Sequence, residues 1–150
     1  MTVRVAFVCV QNAGRSQMSA ALAEREREQR ELQDNVEILT GGTAPADHVH
    51  GEVVEIMREA GFDLSGREPR EIDTEELNAC DYVATMGCST LELDAAGPDV
   101  RDWALDDPDG RDPGEVRAIR DDIERRVRDL FDEVERAIKQ ESEVTVAADE

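Results

Sequence analysis

The apolar positions divide the chain into alternating strand-like and helix-like segments. Residues 3–10, Val-Arg-Val-Ala-Phe-Val-Cys-Val, are a β-branched run suited to a strand buried on both faces. A polar turn follows, Gln11-Asn12-Ala13-Gly14, and Ser16 stands where the cap or first turn of a helix is expected. From Met18 to about Leu32, the apolar residues Met18, Ala21, Leu22 and Leu32 are embedded in Glu, Arg and Gln, which predicts an amphipathic helix. Residues 36–40 predict a second strand, closed by Gly41-Gly42. Val53, Val54, Ile56 and Met57 predict a short helix ended by Gly61. Residues 62–70, with Gly66 and Pro69, read as connector, and 74–77 as a helical turn. Residues 81–86 and 99–105 predict the third and fourth strands, the third stopped by Gly87. After a Pro/Gly/Asp loop over 106–114, Val116, Ile119, Ile123, Val127, Leu130, Val134 and Ile138 recur at spacings of three and four and predict the longest helix. Residues 140–150 are acidic and aperiodic, which predicts a frayed or disordered tail.

Strands alternating with helices predict an α/β fold, a parallel sheet with helices on both faces. No repeat or linker divides the chain, so residues 1–139 are expected to form one domain ahead of the 140–150 tail. In such sheets ligands sit beyond the carboxyl ends of the strands. The segments richest in polar chemistry, 9–16, 87–90 and 106–113, all follow predicted strands.

Composition narrows the partners. The 150 residues carry 37 acidic and 17 basic side chains, a net charge of −20. A pI near 4.3 argues against nucleic acid and anionic membrane, whose phosphates need Lys and Arg. No apolar run approaches a membrane span, and the N-terminus lacks the layout of a signal peptide. Three cysteines are too few for a disulfide scaffold, so a reducing cytoplasm is expected. Of the 17 basic residues, all but Lys139 are Arg. This acidic, lysine-poor balance resembles that of halophiles with a salty cytoplasm, where a Debye length of roughly 3 Å at molar salt screens the self-repulsion.

Three features suggest chemistry. Cys9 ends the first strand and Arg15-Ser16 opens the first helix, giving Cys, five residues, Arg, Ser. A strand-to-helix loop aims successive N–H groups at one point, and the helix dipole adds positive charge there. The loop from Val10 through Gln11, Asn12, Ala13, Gly14 and Arg15 to Ser16 is therefore a candidate oxyanion cradle. Arg15 is placed to clamp a tetrahedral oxyanion with two hydrogen bonds. The same field favours a thiolate at Cys9, making it a nucleophile, with Ser16 able to hydrogen-bond it. The second feature is Asp106-Asp107, two carboxylates in the loop after the fourth strand, either of which could protonate a leaving oxygen. Like-charge repulsion between them would favour the protonated form. The third is His48 and His50, which have no Cys or carboxylate cluster at ligand spacing; they read as surface residues and no metal is expected.

The stretch Phe7-Val8-Cys9-Val10-Gln11-Asn12-Ala13-Gly14-Arg15-Ser16-Gln17-Met18 resembles the phosphate-binding loop of the low-molecular-weight protein tyrosine phosphatase superfamily, and most of all its thiol-coupled arsenate reductases. Segments 41–46, 85–88, 102–108 and 117–123 are similar to the same family in the same order. The resemblance implies a flavodoxin-like, three-layer fold with a four-stranded parallel sheet. It also implies an enzyme acting on arsenate or phosphomonoesters through a covalent Cys9 adduct, without a tightly bound cofactor. Its general acid, the Asp directly before Pro, falls on Asp107. If arsenate is the substrate, the reductant is a thiol: thioredoxin, glutaredoxin or a small thiol. Many relatives carry a Gly-Cys-Gly-Asp-Ala-Cys-Pro-like segment, where this chain reads Gly87-Cys88-Ser89-Thr90-Leu91-Glu92-Leu93. A second relay cysteine is missing there, so either Cys88 resolves the adduct alone or an external thiol attacks it. Cys80 and Cys88 flank the third strand, about 26 Å apart if extended at ~3.3 Å per residue, beyond the ~7 Å a disulfide allows. Cys88 falls at the same sheet end as Cys9, and Cys80 at the other. Tyrosine phosphatases of this superfamily usually place aromatic residues after the Asp-Pro, where this chain has Asp109-Gly110. The rival to an enzyme is an oxyanion-sensing domain that kept the cradle.

Overall fold

Strand β1 (Val3–Cys9) is the backbone of the domain. Its odd residues Val3, Val5, Phe7 and Cys9 pack into one hydrophobic cluster, and its even residues Ala6 and Val8 into another. Both faces are therefore buried, as its near-continuous apolar run requires. It lies between β2 (Val36–Gly42) and β3 (Tyr82–Met86), and β4 (Asp99–Asp102) completes a parallel sheet of order β2-β1-β3-β4. The computed structural model describes residues 2–87 and 97–148, with side chains through residue 141.

The odd face of β1 is covered by α1 (Arg15–Gln29), α2 (Gly51–Glu59) and α4 (Pro113–Ala148), which contribute Met18, Leu22, Val53, Met57, Ile123, Val127 and Phe131 to the larger cluster. The even face meets Ile72, Cys80 and Leu77 of the short helix α3 (Thr74–Asn78). This is a three-layer α/β arrangement with its larger core on the Cys9 side.

Several boundaries differ from those the sequence predicts, each for a physical reason. Helix α1 stops at Gln29, with Glu31 left-handed at φ +57°. Leu32 donates back to the carbonyl of Arg27 and Glu31 to that of Glu28, a hydrogen-bonded turn that satisfies the helix end and still buries Leu32. The helix is also not amphipathic at its start: residues 16–23 are all buried, because this part of the helix lies between the 10–14 loop and the core. Strand β2 runs through Gly41 and Gly42 instead of stopping before them, since a Cβ on Gly41 would lie 2.4 Å from Ile72 and one on Gly42 would lie 2.5 Å from the Val10 carbonyl. Strand β4 ends at Asp102, three residues short of expectation, where its ladder with β3 ends. Helix α4 continues to Ala148, through residues expected to belong to a disordered tail. Propagating an established helix costs far less than nucleating one.

Candidate active site

Cys9 closes β1 at the carboxyl end of the sheet and is 3% exposed. It forms part of the lining of a cavity of about 290 Å³, with Val10, Gln11, Gly14, Arg15, His50, Gly87 and Asp107. Among the described residues, no Phe, Tyr or Trp lines this cavity. Loop residues 10–14 carry the chain from β1 into α1.

The polarity of that loop follows from where its carbonyls go. The carbonyls of Cys9, Val10, Gln11 and Ala13 accept from the backbone N–H groups of Thr43, Ala44, Ala46 and His50. That of Asn12 accepts from Gln17 Nε2, and that of Gly14 from the amide of Met18. A trans peptide points its N–H opposite its C=O, so six outward carbonyls turn the intervening N–H groups toward the cavity. Helix α1 adds its own first turn, which has no side-chain cap. The segment 43–50 that pulls the carbonyls outward is not marked by any chemical signal in the sequence.

Asn12 is the hub of the loop. It is wholly buried and left-handed, at φ +51°. Its Nδ2 donates to Ser16 Oγ at 2.8 Å and to Thr40 Oγ1 at 2.9 Å. Its Oδ1 accepts from Gln17 Nε2 at 3.0 Å and from the Arg70 amide at 3.1 Å. Thr40 in turn donates to the Phe7 carbonyl. With every side-chain site engaged, the residue is held in a conformation that costs a non-glycine residue free energy. The Asn12 amide donates to Cys9 Sγ at 3.2 Å, and Ser16 Oγ lies 2.9 Å from the same sulfur. Because Ser16 Oγ already accepts from Asn12, its own hydrogen is available to the sulfur. Gln17, Thr40 and Arg70 belong to this support although sequence reasoning passed over them; only the assembled fold brings them to Asn12.

Arg15 folds over the cavity with its side chain 13% exposed. One guanidinium nitrogen donates to the Leu105 carbonyl at 3.1 Å, and the other is 3.9 Å from Asp107 Oδ2. Gly87, at φ +79°, makes room for it, since a Cβ there would lie 2.9 Å from Arg15 Nη1. Asp107 lines the Cys9 cavity, whereas Asp106 lines a neighbouring one with Arg111 and Ile119. The Asp107 carboxylate is half exposed, and its loop is pinned by Pro108 against Gly14, where a Cβ would lie 2.8 Å from the proline ring. A second tie is the Gly110 amide donating to Glu52.

Two other expectations come out differently. His48 is exposed, but His50 is half-buried and lines the cavity, bonding Gln11 Oε1 through Nε2 at 3.0 Å. The fold also brings donor atoms of His50, Glu52 and Asp109 within 4.8 Å of one another, a proximity no sequence spacing reveals because Asp109 comes from a distant loop. Cys80 is buried before β3 at the opposite sheet end and donates to the Glu76 carbonyl. Burial pushes its thiol pKa up. Cys88 lies outside the described residues.

Residues 4–141 match the family model described as low molecular weight phosphotyrosine protein phosphatase. The chain belongs to this family. It is 74% identical over 132 residues to a Halobacterium salinarum protein named "Putative arsenate reductase", covering 88% of this chain and 93% of that one. It is 31% identical to the glutaredoxin arsenate reductase of Synechocystis, over 85% of this chain and 95% of the relative. Among solved structures, the thioredoxin-dependent arsenate reductase of Corynebacterium glutamicum matches with a TM-score of 0.75 at 32% identity, over 91% of this chain and 63% of that one. An arsenate reductase in a phosphate-binding state matches with a TM-score of 0.74 at 28% identity, over 89% and 99%. Family and fold agree with the four-stranded parallel sheet described above. No helix among the described residues is long and apolar enough to cross a membrane.

Proposed function

We propose that this protein is an arsenate reductase that works through Cys9. The observation that carries the reading is a thiol on the floor of a cavity, with the Asn12 amide donating to its sulfur and peptide N–H groups turned inward around it. Hydrogen-bond donors on sulfur favour thiolate, and inward amides favour a tetrahedral oxyanion beside it.

In this mechanism the Cys9 thiolate attacks arsenic. A sulfur–arsenic bond forms, and one oxygen leaves as water after taking a proton from Asp107. Arg15 and the loop amides hold the remaining oxygens. A second thiolate then attacks Cys9 sulfur, forming a disulfide. The sulfur–arsenic bond breaks, and its electron pair stays on arsenic. Arsenic is thus reduced by two electrons, from the pentavalent to the trivalent state, at the cost of two thiols oxidised. The second thiol is either Cys88 or an external one, and an external thiol such as thioredoxin, glutaredoxin or a small thiol regenerates the enzyme. Dependence on free thiols fits a reducing cytoplasm.

Phosphomonoester hydrolysis shares the first half: Cys9 attacks phosphorus, Asp107 protonates the leaving alcohol, and water releases phosphate. Asp107 beside Arg15 favours retention of this activity. Among the described residues, the cavity lining holds no Phe, Tyr or Trp to stack on an aryl group, which favours a bare oxyanion over an aryl ester as principal substrate. Arsenate-dependent thiol oxidation measured beside aryl phosphate hydrolysis, in molar salt, tests the reading. Arsenate turnover well above ester turnover supports it; ester hydrolysis without arsenate reduction overturns it in favour of a phosphatase.

A further inference from the structure

The cavity lining carries a polar pair that the mechanism above does not use. Gln11 lines the cavity, and its side-chain oxygen is 3.0 Å from His50 Nε2. An amide oxygen only accepts, so His50 Nε2 carries the hydrogen, whether the ring is neutral or charged. His50 is itself fixed: it occupies the N-cap position of α2 without capping the helix through its side chain, and its amide donates to the Ala13 carbonyl. Its ring lies near acceptor atoms of Glu52 and Asp109, groups that suit a ring presenting N–H. With Gln11 Oε1 engaged, the polar group this side chain has left to offer is its NH2. That donor has the sign an oxyanion requires. Released from His50, the amide is free to rotate and present its oxygen, which repels the same ligand.

We propose that Gln11 is a side-chain donor to the bound oxyanion, and that His50 is a positioning residue that fixes the polarity of the Gln11 amide. This deepens the proposed function, resting on its oxyanion cradle and adding a contact beyond the loop amides and Arg15. The pair provides the bare tetrahedral anion with a neutral side-chain donor in addition to the guanidinium.

Inorganic sulfate is the suitable probe, because it remains a dianion across the working pH range and does no chemistry with the thiol. Binding is measured by calorimetry at fixed chloride for the full-length protein, Gln11→Leu, His50→Phe and the double variant, with thermal melts to confirm folding. Gln11→Leu and His50→Phe are each expected to weaken sulfate binding by about tenfold, as for loss of one hydrogen bond to a charged group. The double variant should be no weaker than Gln11→Leu alone, since His50 acts through Gln11. Gln11→Glu, which replaces the donor with an anion, should weaken binding further. Wild-type affinity in Gln11→Leu, or a full additional His50→Phe loss in the Gln11→Leu background, overturns the proposal. Failure of the wild-type protein to bind sulfate while remaining folded instead defeats the oxyanion-cradle reading beneath it.

Discussion

Cys9 and Cys80 make a controlled comparison within one molecule. Both are buried, at 3% and 5% exposure; Cys9 ends β1 and Cys80 shortly precedes β3. They sit at opposite ends of the sheet. At the carboxyl end, the Asn12 amide donates to Cys9 sulfur and the Ser16 hydroxyl lies beside it. At the amino end, Cys80 is the donor, to the Glu76 carbonyl, amid Ala6, Val8, Ile72, Leu77 and Val83. Burial alone therefore does not define a cysteine's chemistry; the direction of the hydrogen bonds around it does. The sheet explains why the two ends differ. A parallel strand feeds a helix N-terminus at its carboxyl end, where amide N–H groups converge, and receives a loop at its amino end, where they do not.

The largest test of this contrast is to remove each thiol in turn. Cys9→Ser should abolish arsenate and phosphate ester turnover, by at least about 10³-fold, with the fold intact by circular dichroism. Cys80→Ala should leave both rates unchanged. Residual turnover within tenfold of wild type in Cys9→Ser would remove the distinction between the two ends.

Next in size is the proposed proton donor. Asp107→Asn should slow hydrolysis of esters with poor leaving groups by about 10²–10⁴, with a much smaller loss for good leaving groups. Asp106→Asn, in the neighbouring cavity, should show no such dependence on leaving group. Smaller again is the effect of Arg15→Lys, which keeps the charge but loses the planar fork that reaches the Leu105 carbonyl and the cavity together. Sulfate affinity in that variant should fall by at least about tenfold; near-normal affinity would show that charge alone suffices.

A subtler loss is expected from the support behind the thiol. Thr40→Val keeps the shape of its side chain but leaves one Asn12 Nδ2 hydrogen and the Phe7 carbonyl without their hydroxyl partner. It should lower the melting temperature by several degrees, for a cost of about 1–3 kcal/mol, and reduce kcat more than sulfate affinity.

The sequence made the alternation of strands and helices legible, and with it the parallel sheet, because β1 is a near-continuous apolar run buried on both faces and α4 carries apolar positions at spacings of three and four. The placement of Cys9 at a strand end and of Arg15-Ser16 at a helix start was legible because the β-branched run stops at a polar turn with Asn12 and Gly14. Less visible were contacts that depend on distant segments folding together. The outward pull of residues 43–50 on the cradle carbonyls is made by backbone amides, which leave no trace in side-chain identity. His50 looked like a surface histidine because its partner, Gln11, lies 39 residues away in sequence. Gly87 read only as a strand terminator, while in the folded chain it makes room for Arg15. Helix length at the C-terminus was underestimated because composition reports the cost of starting a helix better than the ease of extending one.

The most direct test of the central claim is thiol alkylation followed by mass spectrometry, carried out across pH with and without sulfate. Cys9 should react faster than Cys80 and be protected by sulfate, because it lines the cavity proposed to hold the oxyanion. Cys80, whose thiol is pushed up by burial, should react in the folded protein only as the pH becomes strongly alkaline, and sulfate should not affect it. Equal reactivity of the two thiols at neutral pH, or a Cys9 indifferent to sulfate, would contradict the account.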